Sequence, residues 1–332
     1  MLSEAEIVQI LKSSSPEVLS QIAENAFQIR NQYLGRRIWL RGLLEFSNYC
    51  VRNCLYCGLR RENQRLVRYR MDEEAIFEAA KQAIDSGIQT IVLQSGDDLV
   101  YPRQAILSLI QRIKTYAPQT AITLSLGERP IEDYRAFYAA GADRYLLKHE
   151  TVNELLYATL HPGQSLQKRL QILSQLKQIG YQVGAGNIVG LPGQTETDLA
   201  RDILLLKEID VDMAGIGPFM PQKDTPLAHY PKGSVELTLK VLSLTRLVIP
   251  RAHLAASTAL VSAQEDKRNV LRQAFLAGAD VVMLNFTPNI YRNLYQIYDG
   301  KKLIHLEDVQ AAAESVGLEI CWDRGDALKR CT

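Results

Sequence analysis

The chain predicts a mixed α/β fold: a closed parallel (β/α)8 barrel of the TIM type with an N-terminal helical extension. Three observations carry that expectation. Short apolar segments alternate with amphipathic helical patterns through most of the 332 residues, which is the rhythm of repeated β-then-α units. Glycine closes several of those helical patterns, at Gly87, Gly141, Gly180 and Gly278. Polar and glycine residues also gather just past every strand, where such barrels build their sites. An open doubly wound sheet is the competing arrangement, but no G-x-G-x-x-G follows the first strand.

Two helices precede the repeat. The first has Ser3 and Glu6 spaced as a capping box, and the second starts at Ser15-Pro16 and ends near Gly35. The strands are expected at Ile38–Phe46, Thr90–Gln94, Ala121–Ser125, Arg144–Leu147, Gln182–Val189, Met213–Gly217, Ala252–Ser257 and Val281–Asn285. Helices are expected at Asp72–Ser86, Arg103–Tyr116, Ile131–Ala140, Leu166–Ile179, Glu196–Glu208, Val235–Leu247 and Asp266–Ala277. The string Ala-Gly-Ala-Asp occurs at Ala140–Asp143 and again at Ala277–Asp280, each time closing a helix and feeding a strand. That reads as one helix-to-strand turn used twice. No low-complexity linker divides the chain, so a single domain is expected: N-terminal helices over 1–36, the barrel over 37–300 and a C-terminal extension over 301–332.

Composition excludes several classes. Lys plus Arg number 38 against 37 Asp plus Glu, a net charge of +1, so neither nucleic acid nor another polyanion is implied. The basic cluster Arg60, Arg61, Arg65, Arg68 and Arg70 reads as a solvated loop. The N-terminus lacks the layout of a signal peptide, and no apolar run approaches the roughly 20 residues that span a bilayer. Five cysteines, three of them clustered, do not make a disulfide framework. The expectation is a cytoplasmic protein with reduced thiols.

Strand one leads to Cys50, Cys54 and Cys57, and strand two to Gln94, Ser95, Gly96, Asp97 and Asp98. Strand three leads to Ser125, Gly127 and Glu128, and strand four to Lys148, His149 and Glu150. Gly184, Gly186 and Asn187 belong to strand five, Gly215, Gly217 and Pro218 to strand six, Ser257 and Thr258 to strand seven, Asn285 and Thr287 to strand eight. One cavity at that face is the simplest arrangement. The three cysteines, spaced C-x3-C-x2-C, suit three corners of an iron–sulfur cube with the fourth iron open, and Tyr56 beside the last one is placed to pack over it. A structural zinc site is one alternative, but no histidine precedes His149. A four-cysteine electron carrier would need Cys321 or Cys331.

The cysteine loop, just past the first strand of a barrel, resembles the radical S-adenosylmethionine (SAM) superfamily. Within it, Glu45–Cys50 and Cys54–Arg61 are similar to the HydE family of [FeFe]-hydrogenase maturases, a group related to biotin synthase. So are Thr90–Gly96, Thr123–Glu128, Ala142–Leu147, His149–Thr151, Gly190–Thr195 and Gly215–Phe219. The resemblance spans roughly residues 36 to 300.

It implies an enzyme that cleaves SAM reductively at a [4Fe-4S] cluster held by Cys50, Cys54 and Cys57. A 5′-deoxyadenosyl radical would then act on a small substrate. By motif match, Tyr56, Ser95, Gly96, Asp97, Glu150 and Arg169 would contact the cofactor, with Glu150 on the ribose hydroxyls and Arg169 on the carboxylate. Arg41, Thr123, Ser125, Arg144, Met213, Ser257, Thr258, Tyr291 and Tyr295 would face the substrate cavity. For a maturase the implied substrate is a small iron- and cysteine-containing precursor, with a reductant such as ferredoxin or flavodoxin and other hydrogenase maturases as partners. Two positions depart from the family pattern: Ser257-Thr258 for two threonines and Lys148 for arginine. Biotin synthase holds a second cluster on cysteines inside the barrel, and here none lies between Cys57 and Cys321. Cys321 and Cys331 are read as free thiols. Methylornithine synthase needs no second cluster and stays open as an alternative; a zinc-held binding protein is the reading from another class.

Overall fold

The computed structural model describes residues 2–328, so Cys331 lies outside the described residues. Helices α1 (Glu4–Lys12) and α2 (Pro16–Leu34) come first. Ser3 Oγ accepts from the Glu6 amide at 3.3 Å while Glu6 accepts from the Ser3 amide at 2.8 Å, satisfying amides that a first helical turn leaves open. Ser15 caps α2, Pro16 takes its first position and Gly35, at φ 68°, ends it.

The barrel follows. Its first half is β1 (Arg37–Ser47), α3 (Glu73–Asp85), β2 (Thr90–Ser95), α4 (Arg103–Tyr116), β3 (Ala121–Ser125), α5 (Ile131–Ala139) and β4 (Arg144–Leu146). Next come α6 (Glu154–Leu160), α7 (Leu166–Ile179), β5 (Gln182–Ala185), β6 (Ile188–Val189), α8 (Glu196–Glu208), β7 (Met213–Ala214), β8 (Gly217–Pro218) and α9 (Val235–Val248). The chain finishes with β9 (His253–Leu254), α10 (Thr258–Ser262), α11 (Lys267–Leu276), β10 (Val281–Asn285), α12 (Asn289–Arg292), α13 (Leu306–Glu314) and β11 (Glu319–Cys321).

The strand order is β10-β1-β2-β3-β4-β5-β7-β9, all parallel. The ring closes between β9 and β10 through one bridge, Ala255 to Val281. Two hydrogen bonds of 2.9 Å reinforce it, Ala256 N to Val281 O and Asp280 N to Leu254 O. β1 is buried along nearly its whole length, because a barrel strand faces side chains within and helices without. Outside it, α3 presents Ile76, Ala79, Ala80 and Ala83 to the core, one face of a 3.6-residue period. The leading helices pack on the barrel's outer layer, α1 on α8 and α2 on α9.

The repeated Ala-Gly-Ala-Asp turn has a physical purpose. Gly141 and Gly278 take positive φ (112° and 99°), which lets the helix stop and the chain reverse. The aspartate then reaches the previous strand: Asp143 accepts from Ile122 N at 2.8 Å and Asp280 from Leu254 N at 2.7 Å. Asp212 does the same to Val183 N at 2.8 Å without the rest of the motif. Each carboxylate ties the start of one strand to its neighbour.

Two expected strands are broken. The segment Gln182–Val189 splits into β5 and β6, and Met213–Gly217 into β7 and β8, the second halves pairing with each other rather than in the ring. Gly186 is the switch point. Its φ is 154°, and a β-carbon there would collide with the Gly215 backbone, so the two strands separate where their backbones cross. Strand seven is also shorter than expected, since Ser257 leaves it to become the N-cap of α10.

The C-terminal extension belongs to the barrel. β11 pairs in parallel with the first residues of β1, Arg37 to Trp39. The segment after it crosses the N-terminal end of the ring. Trp39 Nε1 donates to Asp323 at 2.6 Å, and Arg144 Nη2 donates to the carbonyls of Arg324 and Gly325 at 2.6 and 2.9 Å.

Candidate active site

The loop between β1 and α3 carries the three cysteines, and its arginines build it from within. Arg68 donates to the carbonyls of Asn48, Leu59, Arg60 and Asn63 at 2.6 to 3.3 Å. Arg70 grips Asp98 with two bonds and lies 3.7 Å from the Tyr49 ring centre. Arg60 is buried and Arg68 half-buried, while Arg61, Arg65 and Arg70 stay exposed. The solvated-loop expectation therefore fails for Arg60 and Arg68: the carbonyls of an irregular loop need donors, and arginine supplies up to five.

Cys50, Cys54 and Cys57 line one wall of a cavity of about 380 Å³ at the C-terminal ends of the strands, within the roughly 300–1,000 Å³ of small-molecule and cofactor sites. Burial pushes the Cys50 thiol up to about 11 and Cys54 up to about 12, and Cys57 is raised further. Neighbouring negative charge adds to the effect: Asp97 at Cys50, Cys50 and Asp97 at Cys54, and Cys54, Cys50 and Glu150 at Cys57. The bare thiols are therefore protonated at neutral pH, and a metal must displace those protons.

The α6–α7 connection clasps this loop at three points. Leu55 N donates to Leu160 O at 2.9 Å, Tyr56 Oη meets His161 Nε2 at 2.8 Å, and Gln164 Nε2 donates to Cys54 Sγ at 3.4 Å. Burial pushes His161 down to about 4, so its ring is neutral. Its Nδ1 lies 2.9 Å from the Tyr157 carbonyl and so carries the proton; Nε2 then accepts from Tyr56. The fold thus brings a histidine to the cysteines, but both of its nitrogens are engaged. Among the described residues no three His, Cys, Asp or Glu side chains close around a single ion, as a zinc site would require.

A ring of charge surrounds the thiols. Glu128 is buried between Arg52 at 3.1 Å and Arg169 at 3.0 Å. Arg52 also holds Asp97 at 2.5 Å. Arg169 further donates to Lys148 O at 2.9 Å and Gln164 Oε1 at 3.0 Å. On the next strand end Glu150 takes a positive φ of 68°, uncommon for a side-chain-bearing residue and a mark of an imposed geometry. Burial works against its anion, but Lys148 and Arg169 outweigh it and hold the carboxyl below its ordinary value. Lys148 Nζ lies 3.1 Å from Glu150 Oε2 yet off the hydrogen-bonding direction, so this buried oxygen has no hydrogen-bond partner.

The structure brings together much of the expected site. Tyr56, Ser95, Gly96, Asp97, Ser125, Glu150, Arg169, Ser257, Thr258 and Tyr295 all line the cavity. Asp97 does so with its carboxylate already bound by Arg52 and by Glu128 N at 3.2 Å. Five expected residues do not line it. Leu43, Ser125, Leu146 and Gly215 form its wall, and Arg41, Thr123, Arg144 and Met213 each stand two residues earlier in the chain. With about 3.3 Å of rise per residue they sit one layer deeper in the barrel. Arg41 Nη1 meets Met213 Sδ at 3.1 Å there. Arg144 turns to the opposite end, where Thr90, Gln182 and Asp326 each bind it at 3.0 to 3.1 Å. Tyr291 stacks on Tyr69 with centroids 4.9 Å apart.

Other cavity residues had no distinguishing signal. Arg52 was one arginine among several, His161 and Gln164 lie in a connection, and Ile188 was one apolar strand residue among many. Lys301 also lines the cavity and pairs with the buried Glu45, whose other oxygen accepts from Asn285 Nδ2 at 2.8 Å. Tyr298 stands beside them on the wall. Three soft thiolate donors at one mouth suit an iron–sulfur cluster among the soft metals, and Glu150 Oε2, paired in charge with Lys148 but without a hydrogen bond, suits a hydroxyl donor. The residues present fit a [4Fe-4S] cluster with SAM beside it.

Comparison with known proteins follows that geometry. Residues 44–206 match the Radical SAM superfamily. The [FeFe] hydrogenase maturase subunit HydE of Thermotoga maritima is 48% identical over 292 residues, 88% of this chain and 82% of that protein. The 3-methylornithine synthase of Methanosarcina acetivorans is 28% identical over 77% of this chain and 73% of that protein. Among solved structures, methylornithine synthase superposes with a TM-score of 0.84 at 25% identity, covering 97% and 94% of the two chains. The maturase HydG superposes at 0.82 with 18% identity, over 97% of this chain and 73% of that one, a likeness of fold.

Proposed function

This chain belongs to the radical SAM superfamily and, within it, to the HydE family of maturases, and from that membership we propose that it assists in assembling the active-site cluster of an [FeFe]-hydrogenase. The observation that carries the reading is the 48% identity across 88% of the chain, combined with three cysteines opening on one barrel-mouth cavity. In this reading Cys50, Cys54 and Cys57 hold a [4Fe-4S] cluster, and Glu150 and Arg169 hold SAM. When bound, the pair supplies one-electron cleavage of a sulfonium, the step from which the rest of the reaction follows.

The protein binds, orients and shields. Glu150 offers its open oxygen to the ribose hydroxyls, and Lys148 keeps that carboxylate ionised. Arg169, fixed by Glu128 and the Lys148 carbonyl, presents its guanidinium to the SAM carboxylate. Tyr56, locked by His161, closes the wall beside the cysteines. Ser257, Thr258, Tyr295, Tyr298 and the Glu45–Lys301 pair shape the far side, where a small substrate lies. A ferredoxin- or flavodoxin-type reductant and the companion maturases are the partners this reading requires.

The test is direct. Purify the protein without oxygen, reconstitute it with iron and sulfide, reduce it, add SAM and measure 5′-deoxyadenosine. Iron-dependent visible absorbance with turnover is expected. A colourless protein that leaves SAM intact overturns the reading. Addition to an extract lacking this protein but holding the other maturases should restore hydrogenase activity; failure there, with SAM cleavage intact, would move the substrate to another small molecule.

A further inference from the structure

Cys54 is reached from outside its own loop by Gln164. One amide spans two groups of the site: Nε2 donates to Cys54 Sγ at 3.4 Å, and Oε1 accepts from Arg169 Nη2 at 3.0 Å. Neither contact is loose. The Gln164 backbone amide donates to His161 O at 3.0 Å, and the next residue, Ser165, caps α7. Arg169 sits in the first turn of that helix, with Nε on Glu128 and one Nη1 hydrogen on the Lys148 carbonyl, which leaves one hydrogen on each Nη for a ligand. Cys54, Gln164 and Arg169 all line the cavity.

We propose that Gln164 is a positioning residue that relays occupancy of Arg169 to the Cys54 sulfur, and so sets how readily a cluster held there accepts an electron. The proposal rests on the reading of Cys54 as a cluster ligand and Arg169 as the SAM-carboxylate partner. The physical argument has two parts. An N–H directed at a cluster sulfur favours the more negative, reduced state, since hydrogen bonds to sulfur are among the terms that set such potentials. The strength of that donor depends on the other end of the amide. A guanidinium on Oε1 polarises the group and strengthens the Nε2 bond, as linked hydrogen bonds reinforce each other. A carboxylate that draws Arg169 toward itself relaxes that polarisation. Binding at Arg169 is thereby felt at Cys54 through one side chain.

The substitutions Gln164→Leu and Gln164→Glu separate the contributions. Leucine removes both contacts at similar bulk; glutamate keeps an acceptor for Arg169 but loses the donor to sulfur. The experiment is an EPR-monitored redox titration of the reconstituted protein and both variants, each with and without SAM, after iron and sulfide are counted. Without SAM, both variants should have a more negative midpoint potential than the parent. With SAM, the gap between parent and Gln164→Leu should shrink. Equal potentials without SAM overturn the proposal, and so does a gap that SAM leaves unchanged. Loss of iron from both variants, with the parent loaded, also overturns it, because Gln164 would then only build the loop. A parent protein that takes up no iron defeats the cluster reading instead, so the two failures are distinguishable.

Discussion

Gly96 and Cys50 are packed so closely that a β-carbon on Gly96 would lie 2.8 Å from Cys50 Cβ and closer still to the Tyr49 carbonyl. The β2 strand end is thus the seat on which the cysteine loop rests, and Val51 N donating to Asp97 O at 3.0 Å fastens it. Gly96→Ala must push backbone against backbone, an overpacking that costs about 1–3 kcal/mol. The expected outcome is a lower iron content per chain and a small drop in melting temperature, read by iron analysis and calorimetry.

Cys54→Ala removes a thiol from a loop that other bonds already frame, Arg68 above all. The barrel should fold as before, with an unchanged circular dichroism spectrum and an unchanged melting temperature for the iron-free protein. The visible absorbance of the reconstituted protein and the release of 5′-deoxyadenosine should both vanish.

Glu150→Gln replaces the carboxylate proposed to hold the ribose. A hydrogen bond to a charged group contributes about 1.5–3 kcal/mol, so SAM should bind roughly tenfold to a hundredfold more weakly, with iron content unchanged. Lys148 and Arg169 outweigh burial and hold the Glu150 carboxyl below its ordinary value, so it stays ionised throughout the neutral range. Calorimetric titration with SAM at about pH 6 and about pH 8, both well above the ordinary glutamate value of about 4.3, should therefore show the same loss.

Arg144→Met tests the placement of Arg144 at the closed end of the barrel. The substitution strips two tail carbonyls, Thr90, Gln182 and Asp326 of a donor. Asp326 keeps Arg324 at 2.6 Å, so the cost is that of lost hydrogen bonds to a charged group, about 1.5–3 kcal/mol. Urea denaturation should show that loss, while the SAM affinity of the folded protein stays as it was.

Asp280 makes the stability of the barrel pH-dependent. Burial opposes its anion, but His253 and Arg246 outweigh it and hold the carboxyl below its usual value. A depressed folded-state value means the stabilisation is complete above the ordinary aspartate value of about 3.9. It is then lost as pH falls from there through the folded-state value. Asp280→Asn should be less stable at neutral pH and lose less on acidification into that window. Equal slopes of unfolding free energy against pH would contradict the assignment.

Much of the barrel is legible in the chain because it depends on local rules. Caps at Ser3, Ser15 and Asp72, glycine stops and helical periodicity each act within a few residues. The splits at Gly186 and Ser257 are not local, since one answers to the backbone of Gly215 and the other to the helix that Ser257 caps. The same distinction runs through the site. The cysteines announce themselves by spacing, whereas Gln164 and His161 are ordinary polar residues until folding sets them against Cys54 and Tyr56.

The sequence by itself determined the alternating barrel, the cysteine loop at its first strand and the family to which the chain belongs. The barrel and the loop follow from periodicity and spacing, which are properties of neighbours along the chain, and the family from the likeness of whole residue strings to those of its members. Only the tertiary structure decided how deep the cavity reaches. It placed Leu43, Ser125, Leu146 and Gly215 on the wall and left Arg41, Thr123, Arg144 and Met213 a layer below. The physical reason is that a strand pattern gives the alternation of faces but not the rung at which side chains from opposite strands meet and close the floor.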